Sequence, residues 1–309
     1  MTKIVMYWNN ICVLHRRELS HLAHCKEVLA RQDIDLQATC FGLGYPRHMS
    51  DYLRDPDPIL PDIIVSADLE VFEDRRIFRH METDLLPIRQ WYDTKSDEGV
   101  PTVDRGEKLL PYLIIPLVFY SHDTSCDVSA SLEQVAAEGR EIAFGGINNS
   151  AAKSVVKTVW SRYGRDMAST LFRRAVVTGM PVQSFQLAKT DAVPLALVPS
   201  LFAVNTTEGI AFCPNDGAVA VPSYICVRNS IGRKTASKVL DLLFEPAFLR
   251  FFVEQGNLIS ALKGSPPQPW MERRGSKLQI TTPKWLDETH PQDFYRFYCE
   301  HIPAADRHD

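Results

Sequence analysis

No stretch of this chain approaches the roughly 18 consecutive apolar residues that a helical membrane span requires. The longest candidate, LLPYLIIPLVFY, is short and is broken by Pro111 and Pro116. Cysteine is sparse and unpaired in pattern: seven residues, at 12, 25, 40, 126, 213, 226 and 299, with no C-x-x-C among them. An odd, scattered set of this kind argues against a disulfide framework or a zinc knuckle and for reduced thiols. There is no long run of one charge, and 34 basic against 38 acidic residues leave a net charge of −4. Nucleic acid and anionic membranes are therefore poor partners, and a small molecule or inorganic ion is the better one. Also missing are an internal repeat, a G-x-S-x-G elbow, a P-loop, an H-E-x-x-H helix and a dinucleotide fingerprint with the right glycine spacing. No catalytic set emerges, so an enzyme is the less favoured class and no cofactor is implied. The start, MTKIVMYWNN, lacks the basic, apolar and small-residue series of a secretory leader and reads as a strand entering a turn. A cytoplasmic location is the expectation for the sequence as it stands, with a periplasmic one if a leader has been removed.

What is present is an alternation of strands and helices. With 309 residues, 45% of them apolar, the chain can form two domains of roughly 150 residues or one large α/β unit. KIVMYW predicts a buried parallel strand, followed by the turn Asn9-Asn10 and a helix from about Leu14 to Arg31. DLQATCF is a second strand that ends in GLGYP, where Gly42 and Gly44 allow close approach to a ligand. DIIVSADL is a third, its tip carrying Ser66 and Asp68. The order β-α-β-β-α predicts a mainly parallel sheet. YLIIPLVFYS, with its proline, suits an edge or a crossing strand.

A second α/β unit begins at EIAFGGINNSAAKSVVKTVWSRYG. A strand empties into two glycines and Asn148-Asn149-Ser150, and a helix follows whose Val155, Val156, Val159 and Trp160 share a face before Gly164 ends it. Free N–H groups at such a helix start, beside small polar side chains, can hold an anion or a polar ligand, or can form an ordinary cap. DMASTLFRRAVV reads as helical, VQSFQLAK as a helix, PLALVPS as a strand, and RKTASKVLDLLFEPAFLRFFVEQG as a helix pair. The proline- and aromatic-rich tail from Ser265 reads as an irregular strap. His21, His24 and Cys25 stand at helical spacing, yet without further ligands they read as a packed or solvated helix face. Cys213 and Cys226 lie in apolar strands and read as core.

As a set, LPDIIVSADLEVFED, SLEQVAAEGREIAFGGINNSAAKSVVKTVWSRYG, AVPLALVPSLFA and PNDGAVAVPSYICVRNS with the helices after it resemble the type II periplasmic substrate-binding proteins. The resemblance is to the molybdate-, sulfate- and iron(III)-binding branch of the solute receptors of ABC transporters, and it covers most of residues 1–262. It implies two α/β lobes, 1–118 with 222–309 and 119–221, joined by two crossing strands, with a hinge that closes on ligand. Carried over position by position, it implies ligand contacts at Trp8, Asn9, Asn10, Gly42, Gly44, Ser66 and Asp68. From the second lobe it implies Asn148, Asn149, Ser150, Val182, Gln183 and Ser200. The implied activity is ligand binding for transport, by a monomer, with an ABC permease as partner. A cytoplasmic enzyme or ligand sensor on the same bilobal fold is the alternative. Two positions depart from the pattern: Trp-Asn-Asn replaces small hydroxyl residues in the first turn, and the adjacent second-lobe tyrosines of iron receptors are missing. Whether the ligand is an oxyanion, a metal complex or an organic molecule stays open, as does any metal ligand.

Overall fold

A computed structural model describes residues 1–42, 48–95, 107–268, 270 and 277–302. In chain order its strands are β1 (Thr2–Asn9), β2 (Ile34–Phe41), β3 (Ile63–Ser66), β4 (Leu110–Ser121), β5 (Ile142–Gly145), β6 (Ala175–Thr178), β7 (Ala196–Pro199), β8 (Ile210–Phe212), β9 (Ala218–Val227), β10 (Ile259–Ser260) and β11 (Leu278–Gln279). The helices used below are α1 (His15–Ala30), α2 (Met49–Leu53), α3 (Glu70–Glu73), α4 (Arg75–Glu82), α5 (Leu132–Glu138), α6 (Ser150–Tyr163), α7 (Arg165–Phe172), α8 (Pro181–Lys189), α9 (Ser200–Ala203), α10 (Gly232–Leu243) and α11 (Pro246–Glu254).

The strands lie in the order β2-β1-β3-β9-β4-β7-β5-β6. Pairing is parallel in each wing, β2-β1-β3 and β7-β5-β6, as helical crossovers demand. At the centre it is antiparallel, because β4 and β9 run past each other from one wing to the other. YLIIPLVFYS is thus a crossing strand and not an edge. Pro111 falls where the register shifts before Leu113, so its missing N–H breaks no regular ladder there, whereas Pro116 sits within the ladder opposite Ala220.

Two large apolar clusters fill most of the interior among the described residues. One packs α1, α10 and α11 on the first wing through Ile4, Met6, Leu22, Leu240 and Phe252. The other runs from Tyr7 and Phe72 through Leu117 and Phe119 to Phe144 and Val155, so it is shared by both wings. Ala175-Val-Val, read from sequence as the end of a helix, belongs instead to β6, and α7 stops at Phe172, because its β-branched valines complete the sheet beside β5.

The tail departs further from its sequence reading. It holds two helices, Pro283–Glu288 and Pro291–His301, the first capped by the Thr282 side chain. Although the tail was expected with the first lobe, these helices pack on α6 of the second wing. Trp160 meets Trp285 and Phe297 at ring-centre distances of 5.4 and 4.8 Å. The aromatic spacing at Phe294, Phe297, Tyr298 and His301 is a helical stripe, and α6 offers the matching apolar face.

Candidate functional site

The carboxyl ends of the parallel strands in both wings open on one cleft of about 480 Å³. This is where open α/β sheets place ligands, since helix N-termini and loops converge there. From the first wing, Asn9 ends β1 and Asn10 follows it, Gly42 follows β2, His48 precedes α2, and Asp68 follows β3. From the second, Asn148, Asn149 and Ser150 open α6, and Gly179, Met180 and Pro181 open α8. Ile115, Leu117 and Val221 of the crossing strands form an apolar floor, with Leu201 and Phe202 beside it.

Local chemistry explains how these residues come to be there. Gly42 has φ +102°, and a Cβ on it would lie 2.3 Å from Asn10 Oδ1, so only glycine lets the two turns meet. Gly146, with φ +91°, plays the same part for Asn149, whose Oδ1 would be 2.1 Å from an added Cβ. Freed in this way, Asn149 Oδ1 accepts the N–H of Ala151 at 2.9 Å and caps α6. Asp68 does not cap the helix after it; its Oδ2 accepts the N–H of Ser50 at the start of α2, 3.0 Å away. Burial, and then the charge of Glu70, push the Asp68 carboxyl above its ordinary range. Across the cleft, the N–H of Leu69 donates to Ser150 Oγ at 2.9 Å, so the two jaws touch.

Seven residues expected from sequence therefore line one cleft: Asn9, Asn10, Gly42, Asp68, Asn148, Asn149 and Ser150. Five others stand behind it. Trp8 is buried, because its side chain points to the opposite face of β1 and its Nε1 donates to Glu18 Oε1 at 3.2 Å. Ser66 Oγ accepts the N–H of Asp68 at 2.9 Å and shapes the turn from within. Ser200 Oγ donates to the carbonyl of Asn257 at 2.8 Å, which fixes α9. Gln183 turns back to accept the N–H of Met180 at 2.8 Å, and Val182 follows the lining residue Pro181 without facing the cleft. Gly44 lies outside the described residues.

Glu18 was not singled out from sequence. It is fully buried on α1, where Oε2 accepts the N–H of Ile11 at 2.7 Å while Oε1 holds Trp8, so one carboxylate braces the turn bearing Asn9 and Asn10. Burial raises its pKa to about 7, against the opposing pull of those two donors. Its signal was legible: Leu14, Glu18, Leu22, Cys25 and Leu29 form one helical stripe with an acid at its centre. The His21–Cys25 pair is core. His21 stacks on Phe248 at 3.7 Å, and Cys25 Sγ lies 3.5 Å from its Nε2. Among the described residues, no three His, Cys, Asp or Glu side chains are grouped to hold a metal ion. No helix among them is long and apolar enough to cross a membrane.

No family profile matches this sequence, and no curated protein matches it. Solved structures do match, over nearly the whole chain. The ferric binding protein from Campylobacter jejuni is 14% identical with a TM-score of 0.69, over 96% of this chain and 99% of its own. A substrate binding protein of the ABC transporter from Agrobacterium tumefaciens is 10% identical with a TM-score of 0.64, over 97% and 94%. The periplasmic binding protein AfuA from Actinobacillus pleuropneumoniae, with fructose-6-phosphate bound, is 12% identical with a TM-score of 0.63, over 97% of each chain. The fold is that of the two-lobed periplasmic binding proteins, as its sequence motifs implied.

Proposed function

We propose that this protein is a solute-binding protein that traps a small polar or anionic ligand between its two lobes. The observation that carries this reading is that the turns ending β1, β2, β3 and β5 line one cleft, where asparagines and Ser150 stand over an apolar floor. Such a surface binds by hydrogen bonds from pre-set donors, and the apolar floor excludes water as the jaws meet. We take residues 1–118 with 222–309 and 119–221 as the lobes, with the two tail helices set on α6 and reaching over Glu70 and Glu73 of the first. The likeness to a substrate binding protein of an ABC transporter supports delivery to a permease as the context.

The ligand's identity is a separate question, since structures of this fold include a ferric binding protein and one with a sugar phosphate bound. Among the described residues lining the cleft, the only ionisable side chains are Asp68 and His48. The test is a thermal-shift screen of oxyanions, ferric complexes and sugar phosphates, followed by small-angle scattering. A ligand that raises the melting temperature and holds or reduces the radius of gyration supports trapping. Failure of every class to stabilise the protein would sink the reading.

A further inference from the structure

A second set of contacts joins the lobes beside the cleft. Glu70 and Glu73 lie on α3 of the first lobe, and Lys153 and Lys157 lie one turn apart on α6 of the second. Lys153 Nζ is 2.8 Å from Glu70 Oε1, and Lys157 Nζ is 2.6 Å from Glu73 Oε2. Arg54, just past α2, adds a third cation 2.9 Å from Glu70 Oε2. The Glu70, Glu73 and Lys157 side chains are each less than a tenth exposed.

The tail helix Pro291–His301 covers this cluster. Lys157 Nζ sits 4.9 Å from the ring centre of Phe294, and Lys153 Nζ sits 5.7 Å from that of Tyr295. Trp285, Phe294 and Tyr295 close over Glu70, Glu73 and Lys157, leaving a void of about 30 Å³. Burial alone would raise Glu70, but Lys153 and Lys157 hold its carboxyl well below the usual range. Burial would likewise lower Lys157, and Glu73 and Glu70 outweigh it.

We propose that Glu70, Glu73, Lys153 and Lys157 form a latch between the lobes that favours their closed arrangement, with the Pro291–His301 helix shielding it from water. The latch acts through its geometry. Opening the hinge separates both cross-lobe pairs at once while Arg54 stays with Glu70, and reversing the charge at Lys157 sets two acids against each other beside Glu73. Leu69, next to Glu70, donates across the cleft to Ser150, three residues before Lys153, so the latch and the jaws move together. This rests on the trapping function proposed above.

The experiment uses the unliganded full chain as wild type, Lys157→Glu, the swap Glu73→Lys with Lys157→Glu, and the milder Lys153→Met. Radius of gyration and amide hydrogen exchange across residues 148–151 are the readouts. Lys157→Glu is expected to expand the molecule and to speed that exchange roughly tenfold or more. The swap is expected to restore both. The latch is overturned if the folded variants keep wild-type size and protection, or if the swap stays as open as the single change. Should Lys157→Glu fail to fold, Lys153→Met decides, since it removes the more exposed ammonium and must still loosen residues 148–151. No ligand enters this experiment, so the latch and the trapping function fail separately.

Discussion

Glu18 offers the sharpest quantitative test, because a buried carboxylate sets a pH dependence that can be worked out beforehand. Its pKa is about 7 in the folded protein against 4.5 for the free side chain. Below pH 4.5 it is protonated in both states and contributes no difference. Between 4.5 and 7 the unfolded chain ionises while the folded one keeps its proton, so the folded state loses stability as pH rises, and above 7 the loss is complete. The full span of about 2.5 pKa units corresponds to about 3 kcal/mol, of which about 2–3 kcal/mol falls between pH 5 and pH 8. Glu18→Gln removes the titration. Like the protonated carboxyl, it keeps one carbonyl acceptor for Trp8 or Ile11, so the variant stands close to the neutral wild type in stability. Urea unfolding of both proteins at pH 5, 6, 7 and 8 gives the difference directly. The variant is expected to lie close to wild type at pH 5 and to exceed it by about 2–3 kcal/mol at pH 8. A difference that stays constant across that range would refute a buried, neutralised Glu18 beneath the Asn9-Asn10 turn.

Two further substitutions test how the jaws and the tail are built. Gly146→Ala forces a side chain into a left-handed conformation and onto the Asn149 cap, so a loss of about 2–3 kcal/mol in thermal or urea unfolding is expected. An unchanged stability would mean that the turn before α6 is not held as described. Phe297→Ala empties a buried site between Trp160 and Phe172, with an expected loss of about 3–5 kcal/mol in the same assay. A loss below about 1 kcal/mol would show that the tail is a loose appendage and not part of the second lobe's core.

Much of the site was legible because its residues belong to local motifs. Asn149-Ser150 had to cap the helix that follows, the glycines before it had to relieve crowding, and the Asn9-Asn10 turn had to sit at the end of a strand. These are decisions taken within a few residues, and they appear in the sequence as such. The positions that turned away failed for the opposite reason. Trp8 sits one residue before Asn9, and strand alternation sends its ring to the far face, where Glu18 receives it. Ser66 and Ser200 found backbone partners contributed by the surrounding turn or by a distant helix end.

By itself the sequence determined the alternation of strands and helices, the cap and termination of α6, and the polar turns at the strand ends, while it left β4 as either an edge or a crossing strand. Periodicity and turn chemistry act over one or two turns of chain, so those features need no knowledge of what lies opposite. Only the tertiary structure decided that Ser150 meets Leu69, that Glu70 and Glu73 meet Lys153 and Lys157, and that the tail becomes helical on α6. Each of these depends on groups from separate elements being buried together, and burial is what turns a solvated charge or an exposed aromatic into a partner.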